Sequence, residues 1–257
     1  MPAPLVLTPL QGIPLIRPGD DLGDILWRAL LKNEIALQAG DILVIAQKIV
    51  SKSEGRLVNL REVAPSPQAV ELARLTDKDE RFVELVLRES RKVLRYRPGT
   101  LIVEHRLGFV CANAGIDHSN VEGPYGNPEE WVLLLPENPD ASARRIRNGL
   151  KERSGVSIGV LIIDSHGRAW RLGTVGVCIG VAGVPALVDL RGHPDLFGYQ
   201  LRVTQVAAAD ELAAAASLVM GQADERTPVV HVRGFPYPLR ESSFSELRRP
   251  EEQDLFR

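Results

Sequence analysis

Two short segments carry carboxylates in settings where a carboxylate can work. Asp117 lies in Val110-Cys-Ala-Asn-Ala-Gly-Ile-Asp-His-Ser-Asn-Val121, and Asp164 ends the run Ile162-Ile-Asp164 with Ser165 beside it. Each aspartate follows an apolar stretch and enters a loop of small or polar residues. Hard divalent cations such as Mg2+ or Mn2+ take a few oxygen ligands from protein and complete their shell with substrate phosphates. Two aspartates, the Ser165 hydroxyl and an amide such as Asn120 meet that need. Lys48 and Lys52 directly follow a buried apolar run, Ile42 to Ala46. An ammonium there is a mobile point charge suited to phosphate. Plainer readings exist for each piece. The 117–120 segment reads equally as a polar turn with an Asx cap, and the lysines as a solvated face.

Other chemistries fit less well. The chain lacks G-x-x-x-x-G-K-[ST], so a bound nucleotide would have its phosphates held by metal and lysines. Glycines 176, 180 and 183 do not open a helix as G-x-G-x-x-G, which rejects a dinucleotide fingerprint. His118 and His166 sit one or two residues after the aspartates. A zinc site from them is conceivable but disfavoured, because sequence neighbours rarely converge on one tetrahedral ion. Arg168, Trp170 and Arg171 read as an anion clamp with a stacking aromatic, or as a surface ion pair and a core Trp. No serine or cysteine stands in a nucleophile setting. Cys111 and Cys178 lie in apolar runs and read as small core residues of a reducing compartment.

The elements that must position these residues follow from periodicity and punctuation. Asp21 caps a helix with Leu22, Ile25, Leu26, Ala29 and Leu30 at helical spacing. Ile42 to Ala46 reads as a buried strand. Ser66 caps a helix with Pro67 at its first position. A second helix is expected from near Asp79, carrying Phe82, Leu85, Val86, Glu89 and Val93. Strands at 101–105 and 109–112 lead into the Asp117 loop. Trp131 to Leu135 is a strand, and Asn138 to Gly155 brackets a helix. Residues 156–163 form a strand that ends in the Asp164 loop. The glycines within Val175 to Val184 permit close backbone packing. An alanine-rich helix spans about 205–220, stopped by Gly221 with Gln222 just beyond. Val229 to Val232 is a late strand. From Arg240 the chain is charged and expected to be a mobile tail. The fold class is α+β, with mixed and antiparallel sheets flanked by helices.

The 257 residues, 44% hydrophobic and 25% charged, suit an ordinary globular protein. A formal net charge of -2 with dispersed arginines gives no reason to expect nucleic acid or a membrane surface as partner. No apolar run is long enough to span a bilayer, and no signal-peptide pattern opens the chain. A cytoplasmic protein is expected.

Long motifs in order carry a resemblance. Gly12-Ile-Pro-Leu-Ile-Arg-Pro-Gly-Asp-Asp21, Asp41-Ile-Leu-Val-Ile-Ala-Gln-Lys-Ile-Val-Ser-Lys-Ser-Glu-Gly-Arg56 and Gly108 to Val121 are similar to the coenzyme F420:L-glutamate ligase family. So are Asp164-Ser-His-Gly-Arg-Ala-Trp-Arg171, Ile179-Gly-Val-Ala-Gly183 and Leu218-Val-Met-Gly-Gln222. The likeness covers nearly the whole chain. It implies GTP-dependent addition of L-glutamate to a deazaflavin coenzyme precursor through an acyl phosphate, then extension by a γ-glutamyl linkage. It implies divalent metal, Mg2+ or Mn2+, at Asp117, Asp164, Ser165 and Gln222, with K+ as a further ion. Asp117 and Asp164 would be the catalytic pair. GTP contacts fall to Ile13, Pro14, Leu15, Ile16, Gln47, Lys48, Lys52, Asn120, Met220, Gly221, Gln222 and Ala223. Without the resemblance, Gln222 reads only as a residue past a helix end.

The resemblance further implies two lobes in an intertwined homodimer, a ligase domain over 1–240 and a charged tail over 241–257. It points to the free-standing form, without a C-terminal flavin-binding domain. Ser165, Ala169 and Thr174 stand where the family usually has Thr, Pro and Gln; the serine keeps the oxygen ligand. Two rival classes use the same residues: a metal-dependent phosphohydrolase and a non-catalytic nucleotide-binding subunit.

Overall fold

Residues 4–255 are described by a computed structural model of the chain. In chain order the main elements are β1 (Val6–Pro9), α1 (Leu22–Lys32), β2 (Ile42–Ala46), α2 (Gln47–Ser53), β3 (Leu57–Asn59), α3 (Pro67–Thr76) and α4 (Glu80–Arg88). There follow β4 (Ser90–Arg97), β5 (Thr100–His105), β6 (Val110–Ala112), β7 (Trp131–Leu133), α5 (Pro139–Ser154), β8 (Gly159–Arg168) and β9 (Arg171–Ala182). Then come β10 (Val188–Asp189), β11 (Gln205–Val206), α6 (Ala208–Met220) and β12 (Val229–Arg233). The class is α+β, as the sequence predicts.

The main sheet has the order β1-β12-β2-β8-β9. Only the β2–β8 pair in it is parallel, with Ala46 opposite Ile163; the other neighbours are antiparallel. Successive residues of a strand face opposite ways, so β2 feeds two cores. Leu43 and Ile45 join Leu26, Leu30, Ile146 and Leu150 beneath α1 and α5. Ile42 and Val44 join Leu161, Leu212, Ala213 and Ala216 beneath α6. This double burial explains why Ile42 to Ala46 shows no apolar alternation. The glycines of β9 have the predicted use: a Cβ on Gly176 would stand 2.5 Å from the Ala213 carbonyl, and one on Gly180 2.5 Å from Pro139.

A separate core lies under α3 and α4, where Val83, Val86, Leu101, Val103 and Val132 pack together. Its antiparallel sheet β4-β5-β6 and the pair β3–β7 lead the chain into and out of the Asp117 loop. The predicted caps are present: Asp21, Ser66 and Asn138 accept from Asp24, Ala69 and Ala141 backbone N–H groups.

Three expectations change. The α4 helix stops at Arg88, so Glu89 and Val93 do not continue it. Val93 lies on β4, opposite Val103, and Glu89 is held instead by Arg56 and Arg106. Asp164 and Ser165 are not in a loop, because β8 runs on through them to Arg168, paired with Val177 and Gly176 of β9. The segment after Arg240 is docked over its first part. Arg240 pairs with Glu246, the Ser242 hydroxyl donates to the Val184 carbonyl, and Phe244 meets Phe109 edge-on at 5.7 Å. The segment is rich in charge, yet Phe244 and Leu247 anchor it. Among the described residues no helix is long and apolar enough to cross a membrane.

Candidate functional site

The site forms where the carboxyl ends of β2 and β8 come side by side. Such ends, in parallel pairs, are where ligands of α/β sheets collect. β2 passes directly into α2, so Gln47, Lys48 and Lys52 begin at the strand's end. Lys48 and Lys52 are four residues apart and share one helix face. β8 delivers Asp164 one residue beyond the Ile163–Ala46 pairing.

Asp117 arrives from the other core. Its backbone makes a two-bond bridge with Leu133, each N–H donating to the other's carbonyl at 2.9 Å. Just before it, Asn113 and Ala114 take positive φ values of 51° and 54°. A left-handed conformation at non-glycine residues is costly and persists only where the surroundings enforce it. Here the Asn113 side chain accepts from Leu101 N–H at 3.1 Å, and Ala114 is fully buried. The turn is thereby fixed, and Asp117 is aimed at α2.

The contacts are direct. Gln47, almost fully buried, donates to Asp117 Oδ2 at 2.5 Å and accepts from the Ser51 hydroxyl at 2.9 Å. Lys48 Nζ stands 3.3 Å from Asp117 Oδ1 and donates to the Ser119 carbonyl and hydroxyl, both at 3.0 Å. Lys52 Nζ donates to the Asn120 carbonyl at 2.7 Å, and the Asn120 amide donates to the Ala223 carbonyl at 3.1 Å. The loop after α6 is thus tied to the Asp117 loop. On β8, Asp164 Oδ2 and His166 Nε2 are 2.9 Å apart, while the Ser165 hydroxyl donates to Gln222 Oε1 at 2.9 Å.

Electrostatics make Asp117 the stressed member. Burial, then the charge of Asp164, push its pKa up to about 6; Lys48 and Gln47 offset only part of this. Two carboxylates facing one another out of bulk water favour a cation between them or a proton on one. Lys52 is lowered by burial and by the neighbouring charge of Lys48. Burial and the charge of Asp164 push the Cys111 thiol up to about 12, so it stays protonated. A thiol in that state is no nucleophile.

The predicted residues divide. Gln47, Lys48, Lys52, Asp117, Asn120 and Ala223 are joined in one network. Ser165 and Gln222 form a second pair with Ser217, whose hydroxyl accepts from Gln222 at 3.0 Å. Consecutive residues on a strand point to opposite faces: Ser165 meets Gln222 after α6, while Asp164, on the other face, bonds to His166 and acts by its charge on Asp117. Met220 is buried, with its carbonyl accepting from Thr227 at 2.9 Å, and Gly221 takes a positive φ of 75°. Ile13, Pro14, Leu15 and Ile16 run past the same end of the sheet, between the Leu10–Val229 and Gly19–Ser53 backbone bonds. Leu15 is exposed and Ile16 buried. Ser119 and Ser217 were missed; a lone serine in a loop or mid-helix carries no sequence signal. His118 is exposed and His166 bonds to Asp164, so the histidines do not converge on a zinc ion. Among the described residues no group of three or more His, Cys, Asp or Glu could hold a metal. Any ion would rest on the aspartates with hydroxyl, amide and ligand oxygens, a set that suits a hard cation.

Carboxylates and lysines gather at the carboxyl ends of a parallel pair, a setting for ligand chemistry, and the family to which the chain is matched is one of amide-bond-forming ligases. The chain belongs to the F420-0:gamma-glutamyl ligase family, whose model matches residues 12–234. It is 47% identical over 250 residues to the coenzyme F420:L-glutamate ligase of Methanothermobacter thermautotrophicus, covering 96% of this chain and 97% of that one. The enzyme of the same name from Methanopyrus kandleri is 49% identical over 229 residues, covering 88% and 86%. That from Methanocaldococcus jannaschii is 40% identical over 245 residues, covering 95% and 94%.

Proposed function

We propose that this protein joins L-glutamate to the deazaflavin F420 precursor at the expense of GTP, then extends the tail by a γ-glutamyl linkage. The observation that carries the reading is the Asp117–Asp164 pair flanked by Lys48 and Lys52, in a chain so similar along its length to enzymes named for that ligation. A carboxylate is a poor electrophile. In the proposed reaction a substrate carboxylate oxygen attacks the γ-phosphorus of GTP and GDP leaves. The amine of glutamate, having lost a proton, then attacks the acyl carbon, and inorganic phosphate leaves as the amide forms. Phosphoryl transfer of this kind depends mainly on positioning and charge stabilisation.

The residues have matching tasks. Lys48 and Lys52 hold phosphate oxygens, exchanging their present contacts to Ser119 and Asn120 for the ligand. Asn120, Gln47 and the Met220–Ala223 segment frame the nucleotide, and Ile13 to Ile16 offer it an apolar wall. Asp117 and Asp164, with the Ser165 hydroxyl and the Gln222 amide oxygen, would hold divalent metal, Mg2+ or Mn2+, with K+ as a monovalent companion. A divalent ion there would neutralise the charge of the transferring phosphoryl group. With the ion present, Asp117 would keep its anionic form.

A homodimer is part of the proposal. Trp170, Leu172, Leu196, Phe197, Val203 and Leu218 are each more than four-fifths exposed. Exposed apolar groups of this kind support an interface with a second copy, which sedimentation analysis of the protein would detect as a twofold mass. The 1–240 segment would be the ligase domain, acting in the cytoplasm. The decisive experiment incubates the protein with deazaflavin precursor, GTP, glutamate and Mg2+ or Mn2+, followed by mass spectrometry. A glutamyl mass increment and glutamate-dependent phosphate release are expected. Phosphate release indifferent to glutamate, without that increment, would instead favour a phosphohydrolase.

A further inference from the structure

Along the free edge of β9 lies a cavity of about 250 Å3 that none of the nucleotide or metal residues explains. Phe109 and Phe244 wall it, and His166, Asp210, Arg248 and Arg249 line it as well. Its size is below the roughly 300–1,000 Å3 usual for drug-sized ligands, too small for a deazaflavin with its side chain but adequate for a free amino acid. Its charges are the second observation. Among the described residues, Asp210 has no basic group within 4.0 Å and accepts only from the Cys178 backbone N–H at 2.9 Å. The other carboxylate at the cavity, Asp254, already has a partner. Among the described residues, neither Arg248 nor Arg249 forms an ion pair. Arg248 is seated over Gly108, where an added Cβ would stand 2.6 Å from its Nη1. Two guanidiniums and one carboxylate without ionic partners, around one small cavity, are complementary to a ligand with two carboxylates and one ammonium.

The cavity also touches the reaction centre. His166 lines it and reaches Asp164 at 2.9 Å. A ligand seated there lies beside His166, which in turn touches Asp164.

We propose that this cavity is the acceptor subsite for the free amino acid, an α-amino dicarboxylate of the size of glutamate. Asp210 takes the ammonium, and Arg248 and Arg249 take the carboxylates. The inference rests on the ligase reading above for the identity of the ligand. It makes the docked C-terminal segment, through Arg248 and Arg249, part of substrate recognition.

The test compares the wild type, Asp210→Asn and the double variant Arg248→Ala/Arg249→Ala. Two readouts are used: calorimetric binding of L-glutamate and the KM values for glutamate and for GTP. Asparagine preserves the acceptor for Cys178 N–H and removes only charge; a thermal melt checks that both variants fold. Loss of a charge-assisted contact should weaken glutamate binding and raise its KM by about ten- to a hundredfold, with the KM for GTP within about threefold of wild type. Arg248→Lys should recover part of the loss in the Arg249→Ala background. An unchanged glutamate KM and Kd in both variants, with the wild type ligating normally, would overturn the subsite and leave the ligase reading intact. Glutamate binding that falls in the variants, in a wild type that forms no glutamyl product, would uphold the subsite and overturn the ligase reading.

Discussion

Asp117→Asn should make the metal-free protein more stable while destroying its activity. In the folded chain burial and Asp164 raise the Asp117 pKa from the ordinary 3.8 to about 6. Its side chain is only 24% exposed, so solvent screens this modestly. At about 1.4 kcal/mol for each pH unit, the anionic form is disfavoured on folding by about 3 kcal/mol. The sign follows from proton linkage: between these values the folded state binds more protons than the unfolded, so stability falls as pH rises from about 4 through 6. Asparagine removes that loss, which is already net of the ion pair with Lys48. The net gain at pH 7.5 should be about 1–3 kcal/mol, or about 2–10 °C in Tm for a chain of this size. Urea and thermal denaturation in chelator at pH 4.0 and 7.5 measure it. The difference should nearly vanish at pH 4.0, and Mg2+ or Mn2+ should stabilise the wild type far more than the variant. A variant equal to or less stable than wild type at pH 7.5 would refute the view that Asp117 is held as a frustrated anion.

Lys52→Ala should raise the KM for GTP by about tenfold through a lost phosphate contact, with glutamate KM unaffected; unchanged GTP affinity would remove Lys52 from the nucleotide site. Glu89→Gln should cost about 3 kcal/mol in urea denaturation at pH 7. Burial acts to raise the Glu89 pKa, but the approach of His105 Nε2 to 3.7 Å, the hydrogen bond from Arg106 and the charges of Arg106 and Arg56 outweigh it and hold it at about 2. That stability is present above pH 4.5 and is lost as pH falls toward 2, so wild type and variant should converge in acid. Gly176→Val should lower Tm by several degrees, because its Cβ would meet the Ala213 carbonyl and lever α6 off the sheet; a wild-type melt would show that the helix can yield there.

Local chemistry made much of this fold legible. Asp21, Ser66 and Asn138 announce helix starts because a side-chain oxygen before an apolar periodicity has one common use. That β2 is buried was legible from the unbroken apolar run Ile42-Leu-Val-Ile-Ala46, although its partners and the two cores it feeds were not. Pairing of β1 with β12 joins Val6 to Arg233, and nothing within either strand encodes that. Val93 was misplaced because α4 and β4 share a charged, alternating composition, and the turn at Gly99 decides between them. Asp164 and Ser165 looked like loop residues because polar side chains follow an apolar run; β9 supplies the ladder that extends the strand through them. The aspartates and lysines were visible as candidates, whereas Ser119, Ser217 and Asp210 become meaningful only through their neighbours in space.

The position of β12 has a consequence for synthesis. Val229–Arg233 lies between β1 and β2, although almost the entire chain separates it from the first. A nascent chain emerging from the ribosome can assemble the α3–α4 core early, but the flank of β2 stays open until residue 233 is released. Such long-range pairing slows folding and exposes a strand edge in the meantime. Translation that stalls between α6 and β12 should therefore leave an aggregation-prone intermediate. The site, whose Asn120–Ala223 tie and Ala46–Pro228 backbone bond flank that insertion, would be completed only with the last strand.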